Sequence, residues 1–588
     1  MPRTVTLSSY RELVGRYLGP QTRIVVAMSG CLIAATGLQL AAPLVVGRLI
    51  DQAEAGVSDT VLVRTAVLFL VLALLAQAVA LLAALFSERV AWQATNALRL
   101  DLTRHLLRLG PGFHGRHPAG ALIERVDGDV SLLNSLLSSV ATELFSSALL
   151  LFGLIAVLFA LDGWLGLCFG GLVALTTVLL ESIRRRSVPP EERSREHSAR
   201  FFGFVGEILA ATEDLRPNGG GPYVLERLRR LWADWFPTYV KAELGAYRVW
   251  IVALIAFGVG DGIAYGFGAG LYLSHVLTLG QVYVVVAYAA LVASPLGTIR
   301  ERLVELQGAD AAIWRIGELL EVEPAVVGGG GPVPEGPLGV RFDSVYFAYP
   351  DSETCVSGGQ VHALRGVSFQ VAPGRRLGVI GRSGSGKTTL ARLLVRLYDP
   401  QAGAVRLEGL SLPSLSLASL RSRVRYVTQD VQIFSASLRD NLTLFADRAD
   451  DYYLISLLAS LGLDGWLREQ PAGLDTLIGP GLMSAGEAQL IAFARAFDQD
   501  PGLVILDEAS SQLDPATEAV LEAAATRLLF GRTGIVIAHR PATLERMDDI
   551  LVLEHGRVVE AGERERLTAD PHSLYQSFRR GGFGDVLA

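Results

Sequence analysis

The sequence is poor in cysteine, in lysine and in charged residues generally. Its three cysteines, Cys31, Cys168 and Cys355, lie far apart without metal-ligand spacing, so neither a disulfide framework nor a zinc site is predicted. Only two of the 52 basic residues, Lys241 and Lys387, are lysines. Charged residues make up 19% of the chain and the net charge is -7, which disfavours a dedicated nucleic-acid binder because phosphate contacts need a basic excess.

Apolar residues are abundant instead. They make up 51% of the 588 residues, which disfavours disordered, collagen-like and purely soluble proteins. At roughly 100 to 200 residues per domain, this length allows about three or four domain-sized units. The composition therefore predicts a large protein in contact with lipid.

Uncharged runs in the first half of the chain are long enough to cross a membrane. Residues 24–47 and 65–87 contain 24 and 23 uncharged residues, and 18 more lie on each side of Asp162. About 20 residues cross a hydrocarbon core. The 38 uncharged residues that end at Ile299 exceed one helix, so this region is divided into two spans that turn near His275. The predicted membrane domain is residues 1–322, with six spans at about 24–47, 65–87, 140–161, 163–181, 247–273 and 278–299.

Basic residues are concentrated in two of the five loops between these spans. The segments 88–143 and 182–247 contain six and eleven of them. Because translocation disfavours arginine and lysine beside span ends, both termini are predicted to be cytoplasmic, in a multi-pass protein of the cytoplasmic membrane. Apolar positions at helical spacing in these loops predict that the spans continue as helices beyond the bilayer, and flexible loops are the alternative.

A proline- and glycine-rich stretch precedes a second domain. Residues 323–339 are the predicted linker, and residues 340–588 the second domain. There the segment RRLGVIGRSGSGKTTLARLLVRLY places an apolar strand, a glycine loop and an amphipathic helix in succession. Such a loop lets backbone N–H groups surround phosphate oxygens, with Lys387 near the terminal phosphates and the Thr388 hydroxyl beside Mg2+. The sequence predicts a nucleotide-binding P-loop.

Two further apolar strands end in polar residues. The first, in PGLVILDEASSQLD, ends at Asp507 and Glu508. The first carboxylate is predicted to hold Mg2+, and the second to orient or deprotonate the water that attacks the terminal phosphate. The other strand, residues 534–538, is followed by His539, which is placed to contact the same phosphate.

The order of these motifs resembles the nucleotide-binding domain of ATP-binding cassette (ABC) transporters, and nearly the whole chain resembles an exporter-type half-transporter. The resemblance implies a multidomain membrane protein, in which an all-α six-helix transmembrane domain precedes an α/β P-loop ATPase domain. It also implies coupling helices near 110–118 and 205–216 that dock on the ATPase domain. By resemblance, the ATP-binding residues are Tyr349, Gly381, Arg382, Ser383, Gly384, Ser385, Gly386, Lys387, Thr388, Thr389, Gln429, Ser484, Gly486, Asp507 and Asp514. The implied metal ligands are Thr388, Gln429 and Asp507, and the implied catalytic residues are Glu508, His539 and Lys387.

The signature region departs from the LSGGQ pattern of the family. Met483, Ala485 and Glu487 replace its leucine, first glycine and glutamine, whereas Ser484 and Gly486 remain. In the family each ATP lies between one chain's P-loop and the other chain's signature, so the resemblance implies an obligate dimer. An altered signature beside an intact Glu508 and His539 favours a heterodimer with a second ABC half-transporter over a homodimer.

The predicted activity is ATP hydrolysis coupled to transport by alternating access. Export of an amphiphilic or hydrophobic small molecule, lipid or peptide is favoured, with ATP and Mg2+ bound. An importer built on the exporter fold, as some siderophore systems resemble, is one alternative. Another is a regulatory ATP-binding subunit, although such a subunit is expected to lack Glu508 or His539. A soluble P-loop kinase would lack both the spans and the signature region. A peptide-processing exporter is disfavoured because only about 23 residues precede the first span.

Asp261 is the candidate residue on the substrate path. It lies in the fifth predicted span among Gly258, Gly260 and Gly262. A carboxylate is costly in hydrocarbon, which indicates contact with a cationic or polar substrate. The alternative is helix packing, in which the glycines permit close approach and Asp261 accepts a hydrogen bond or faces water.

Overall fold

The computed structural model describes residues 15–350, 362–446, 450–497, 500–507, 515–538 and 540–581. These divide into two compact units. The first comprises the described parts of Met1–His105 and Gly120–Val322, and the second those of Leu106–Ala119 and Glu323–Ala588.

Long helices build the first unit. In chain order the helices up to residue 320 are α1 Thr22–Glu54, α2 Asp59–Arg108, α3 Pro111–Arg116, α4 Ala119–Leu161, α5 Gly163–Ala210, α6 Thr212–Leu215, α7 Gly221–Leu273 and α8 Leu279–Leu320. Among the described residues, six helices are long and apolar enough to cross a membrane, and each predicted span coincides with part of one of them, except that the sixth span begins one residue before its helix. Helices α2, α5 and α7 contain 50, 48 and 53 residues, about twice what a bilayer needs, so they continue beyond it as expected for the two long loops.

The core of the first unit lies where α4, α5, α7 and α8 pack together. Its fully buried side chains include Leu154, Phe169 and Tyr288. Helices α1 and α8 approach closely at a pair of glycines, where a Cβ added to Gly47 would lie 2.7 Å from the Gly280 carbonyl oxygen. The short turn predicted at Asp162 is explained by its side chain, which caps α5 by accepting hydrogen bonds from two backbone N–H groups at 2.9 and 3.1 Å.

Helix α4 contains two π-helical turns, Glu124–Asp129 and Leu136–Val140. Ion pairs fix this helix to α8. Asp129 is almost fully buried and accepts a hydrogen bond from Arg315 Nε at 2.9 Å, and Glu143 accepts from two nitrogens of Arg302 at 2.9 and 3.0 Å. Such bidentate pairs fix the relative register of two helices.

The second unit is an α/β domain. Its strands are β1 Val340–Phe347, β2 Leu364–Val371, β3 Arg376–Gly381, β4 Ala402–Leu407, β5 Leu410–Ser411, β6 Val424–Val427, β7 Ala436–Ser437, β8 Leu477–Ile478, β9 Leu503–Asp507, β10 Thr533–Ile537, β11 Asp549–Glu554 and β12 Arg557–Glu563. Its helices after residue 320 are α9 Lys387–Leu394, α10 Leu417–Arg423, α11 Leu438–Thr443, α12 Asp451–Ser460, α13 Asp464–Arg468, α14 Ala485–Phe497, α15 Pro515–Leu529, α16 Pro541–Leu544, α17 Arg564–Ala569 and α18 Leu574–Gly581.

The described residues form three sheets, of which the antiparallel pair β7-β8 is the smallest and the other two organise most of these elements. The larger has the order β12-β11-β3-β10-β9-β6 and is parallel except for β12, whereas the smaller, β2-β1-β4-β5, is antiparallel. Both faces of the parallel strands are buried, which explains their continuous apolar runs. One face belongs to a core with α9 and the smaller sheet, and the other to a core with α11, α12 and α14.

Two segments outside the predicted second domain also pack in this unit. Residues 323–339, predicted as a linker, bury Val333 and Leu338 in the core beside the smaller sheet. Helix α3, inside the first predicted coupling segment, lies beside Tyr398, since a Cβ added to Gly112 would be 3.5 Å from that ring. The second coupling segment, 205–216, contains α6 and belongs to the first unit.

Candidate functional site

The P-loop connects β3 to α9 through residues in glycine-specific backbone conformations. Gly384 and Gly386 have φ of +79° and +104°. A Cβ added to Gly386 would lie 2.7 Å from the side chain of Leu364 and 2.8 Å from the carbonyl oxygen of Ala363. Position 386 therefore accepts only glycine, both for its φ and for the space around it. Gly381, Arg382, Ser383 and Ser385, also predicted to bind phosphate, lie in this connection.

Donor groups in the P-loop fit an anionic ligand. Lys387 is 6% exposed, and its Nζ donates to the carbonyl oxygens of Gly381 and Arg382 at 2.7 and 3.0 Å. The buried Ser385 hydroxyl has no hydrogen-bond partner among the described residues. Buried polar groups are rarely left unpaired. An unpaired hydroxyl inside a glycine loop at the N-terminus of α9 is therefore consistent with a phosphate site.

A cavity of ≈ 720 Å³ lies beside the P-loop helix. Four predicted site residues line it: Tyr349, Thr388, Gln429 and Asp507. Three of these are the predicted metal ligands, and they supply a hydroxyl, an amide oxygen and a carboxylate. Oxygen donors of this kind suit Mg2+, which binds through one or two protein ligands, waters and substrate phosphates. The residues present therefore fit a magnesium–nucleotide complex.

Tyr349 is held at the wall of this cavity by three side chains, of which the sequence analysis singled out only Thr389. Its hydroxyl lies 3.0 Å from the Thr389 hydroxyl, and its ring packs edge-on against Tyr398 with centroids 5.4 Å apart. The guanidinium of Arg392 lies 5.7 Å from the Tyr349 ring centroid and donates to its hydroxyl at 3.3 Å. Arg392 follows Thr388 by four residues on α9, so helical spacing could have indicated it.

Tyr426 is a second cavity residue that the sequence analysis missed. Its hydroxyl donates to Asp507 Oδ2 at 2.9 Å. Burial and the neighbouring Asp507 carboxylate raise the pKa of Tyr426 above its usual value, so the hydroxyl stays protonated and acts as a donor. No local pattern in the sequence reveals this contact, because it joins two strands 81 residues apart.

The signature residues lie at the N-terminus of another helix, α14. Ser484 donates to Glu487 Oε2 from both its backbone nitrogen, at 2.7 Å, and its hydroxyl, at 2.9 Å. The Glu487 backbone nitrogen donates back to the Ser484 hydroxyl at 3.3 Å. This is a capping box, and its acceptor is the residue that replaces the family's glutamine. Gly486 is buried in the first turn.

Three predicted site residues, Glu508, Asp514 and His539, lie outside the described residues. The first directly follows Asp507, where β9 ends, and the last follows Ala538 just beyond β10. Their predicted roles in catalysis and nucleotide binding stay predictions.

Asp261, the predicted substrate-path residue, is exposed on α7. Among its neighbours, Gly260 faces α5, since an added Cβ would lie 3.3 Å from Leu172, whereas Gly258 and Gly262 face open space. The glycines thus permit close packing on one side only. Both interpretations of Asp261 remain predictions.

Six membrane-length helices and a P-loop ATPase domain in one chain define an ATP-driven membrane transporter. Comparison with protein families agrees. The model described as ABC transporter transmembrane region matches residues 25–296, and the model described as ABC transporter matches residues 364–511. The chain belongs to the ABC transporter family. It is a multi-pass membrane protein that binds ATP and couples ATP hydrolysis to transport.

Curated relatives span most of the chain. The uncharacterized ABC transporter ATP-binding protein YknV of Bacillus subtilis is 27% identical over 94% of this chain and 91% of its own length. An ATP-dependent lipid A-core flippase of Alkalilimnicola ehrlichii is 32% identical over 84% of each chain. The probable multidrug resistance ABC transporter ATP-binding/permease protein YheH of Bacillus subtilis is 30% identical over 82% of this chain and 71% of its own length.

Proposed function

We propose that this chain is one half of a dimeric exporter that moves an amphiphilic small molecule or lipid out of the cytoplasm. The observation that supports the ATPase half of this proposal is the single cavity lined by Tyr349, Thr388, Gln429 and Asp507. The similarity to proteins named as a lipid A-core flippase and a multidrug resistance transporter supports a lipid or drug as the substrate class. Both termini are cytoplasmic, which is supported by the basic residues of segments 88–143 and 182–247.

The nucleotide is bound by the P-loop side of the cavity. Backbone N–H groups of residues 381–386 and the Ser385 hydroxyl donate to phosphate oxygens, and Lys387 exchanges its loop carbonyls for the terminal phosphates. Tyr349 stacks on adenine with Arg392 behind its ring. Mg2+, held through Thr388, Gln429 and Asp507, would neutralise charge that develops on the transferred phosphoryl group.

Hydrolysis requires a group that activates water. Glu508 is proposed to orient or deprotonate the attacking water, and His539 to contact the terminal phosphate. Ser484 and Gly486 of one chain, together with Asp514, complete the site of the other chain. A dimer therefore has two composite sites, and its closure and reopening move the membrane helices between two access states.

The partner is proposed to be a different half-transporter. At the N-terminus of α14, the Glu487 carboxylate already accepts both Ser484 donors. A phosphate arriving from another chain must displace this carboxylate or be repelled by it. The site that this signature completes is thus weakened, whereas the P-loop half of this chain is intact. If the partner has an unaltered signature, ATP is hydrolysed at the site formed by the P-loop of this chain and the signature of the partner.

Transport measured in inside-out membrane vesicles tests the proposal. Vesicles containing the chain with its partner should accumulate a fluorescent drug or lipid in their lumen when ATP is added. Glu508→Gln, which keeps shape and removes the base, should abolish accumulation while ATP still binds. Accumulation that persists in Glu508→Gln, or ATP-driven loss of substrate from the lumen, would contradict an exporter driven by this site.

A further inference from the structure

Tyr426 and Asp507 face the same side of the parallel sheet. Strands β6 and β9 pair in a register that places Tyr426 opposite Ile505. Side chains two residues apart on a strand lie on one face, so Asp507 shares the face of Ile505 and of Tyr426. Ile505 and Tyr426 also pack in the core that contains α9, the helix of Lys387 and Thr388. Pairing therefore brings a tyrosine to the metal-binding side of the sheet.

The contact between the two side chains gives the buried Asp507 carboxylate a hydrogen-bond donor. Asp507 is 4% exposed, and the Tyr426 hydroxyl donates to its Oδ2 at 2.9 Å. Oδ1 has no hydrogen-bond donor among the described residues. Asp507 also lines the cavity with Thr388 and Gln429. Tyr426 thus fixes one carboxylate oxygen, and no described residue donates to the other.

We propose that Tyr426 is a positioning residue that holds the Asp507 carboxylate in the orientation required to bind Mg2+ with the nucleotide. The proposal rests on the proposed function, in which Asp507 is a metal ligand. A hydrogen bond to the second oxygen of a ligating carboxylate restricts its rotation and keeps the first oxygen directed at the metal. Loss of such a partner typically lowers metal affinity about 10- to 100-fold.

A purely structural role for Tyr426 predicts a different outcome. Its ring is partly buried against the sheet core, so loss of packing would disturb the whole cavity, with and without metal. Tyr426→Phe keeps the ring and removes only the hydroxyl. The positioning role predicts that this variant weakens the metal-dependent part of nucleotide binding and spares the metal-independent part.

Binding of a fluorescent ATP analogue to the full-length transporter measures both the metal-dependent and the metal-independent part of nucleotide binding. A Glu508→Gln background prevents turnover, and titrations are made with increasing Mg2+ and in EDTA. Tyr426→Phe should raise the half-saturating Mg2+ concentration about tenfold and leave the affinity in EDTA unchanged. The matched control is Tyr453→Phe, which removes a tyrosine hydroxyl that donates to the Phe497 carbonyl at 3.3 Å in the same unit. It should leave both values unchanged.

Two results would overturn the positioning role. The first is a Mg2+ titration of Tyr426→Phe that coincides with that of the unsubstituted protein. The second is an equal loss of affinity with Mg2+ and in EDTA, which would assign Tyr426 to packing or to the nucleotide itself. Failure of the proposed function is distinct from both, because the unsubstituted protein would then show no nucleotide binding that Mg2+ strengthens.

Discussion

Two helix N-termini in the ATPase unit differ in whether their hydrogen-bond donors are already paired with a carboxylate. At α9 the Ser385 hydroxyl is unpaired among the described residues, and Lys387 Nζ donates to two carbonyl oxygens of its own loop. At α14 the two donors of Ser484 are taken by the Glu487 carboxylate. The first end is open to phosphate and the second contains its own anion. In the proposed function, the α9 end belongs to the ATP site that this chain uses itself, and the α14 end is the part that it presents to a partner.

The largest expected effect comes from the α9 end. Lys387→Ala should lower ATP hydrolysis by the assembled transporter about 100-fold or more, because one charged donor to the reacting phosphate is lost. Phosphate release by purified transporter in lipid nanodiscs checks this. The sequence provides a matched control in its other lysine, since Lys241→Ala removes an exposed side chain from α7. Equal activity of the two variants would mean that the α9 end is not the working phosphate site.

A smaller effect of opposite sign is expected at the α14 end. Glu487→Gln keeps an acceptor for the Ser484 donors and removes the negative charge. Hydrolysis at sites completed by this signature should rise up to about tenfold, since ~1.4 kcal/mol of relieved repulsion corresponds to that factor. Phosphate release by the transporter assembled with its partner is the measurement. Glu469→Gln, at an exposed carboxylate of the same unit, is the control.

An unchanged or reduced turnover of Glu487→Gln would contradict the proposed difference between the α9 and α14 helix ends. The altered signature would then not weaken the site that it completes, and this ground for preferring a heterodimer would be lost. Robust turnover of the unsubstituted chain alone would point the same way, because two self-capped signatures would be hydrolysing ATP.

The smallest expected effect is on stability, and it tests whether the Ser484–Glu487 capping box stabilises α14. Ser484→Ala removes the hydroxyl that accepts from Glu487 N at 3.3 Å and donates to its carboxylate. Loss of an N-cap costs about 1 kcal/mol of unfolding free energy, or ~2 to 4 °C in the Tm of a domain of this size. Thermal unfolding followed in detergent without nucleotide measures it. A Tm that does not change would show that the capping box contributes no stability, and Glu487 would then be bound too weakly to exclude phosphate.

The sequence was sufficient to predict the order of the ATPase motifs because each is local. A strand, a glycine loop and a helix N-terminus are adjacent in the chain, so Lys387 and Thr388 could be assigned before their positions in space were known. In the structure Tyr349, Thr388, Gln429 and Asp507 line one cavity. Their chemical roles rest on the proposed function.

Contacts between distant strands could not be predicted in this way. Tyr426 bonds Asp507 only because β6 pairs with β9 in one register, which no local pattern specifies. Helical periodicity has a similar limit in α4, where two π turns shift the faces of the helix relative to a regular 3.6-residue repeat. The Asp129–Arg315 pair lies at one of those turns.

The position of residues 106–119 determines how the chain can be divided. A fragment that starts at residue 323 contains the sheets and the P-loop but lacks α3, which belongs to the same compact unit. In such a fragment Tyr398 and Pro350 lose the neighbour that Gly112 provides, and the cavity loses the wall formed by Pro111 and Gly115. The soluble ATPase obtained by cutting there is therefore an incomplete version of the folded unit, with newly exposed aromatic surface beside its nucleotide cavity.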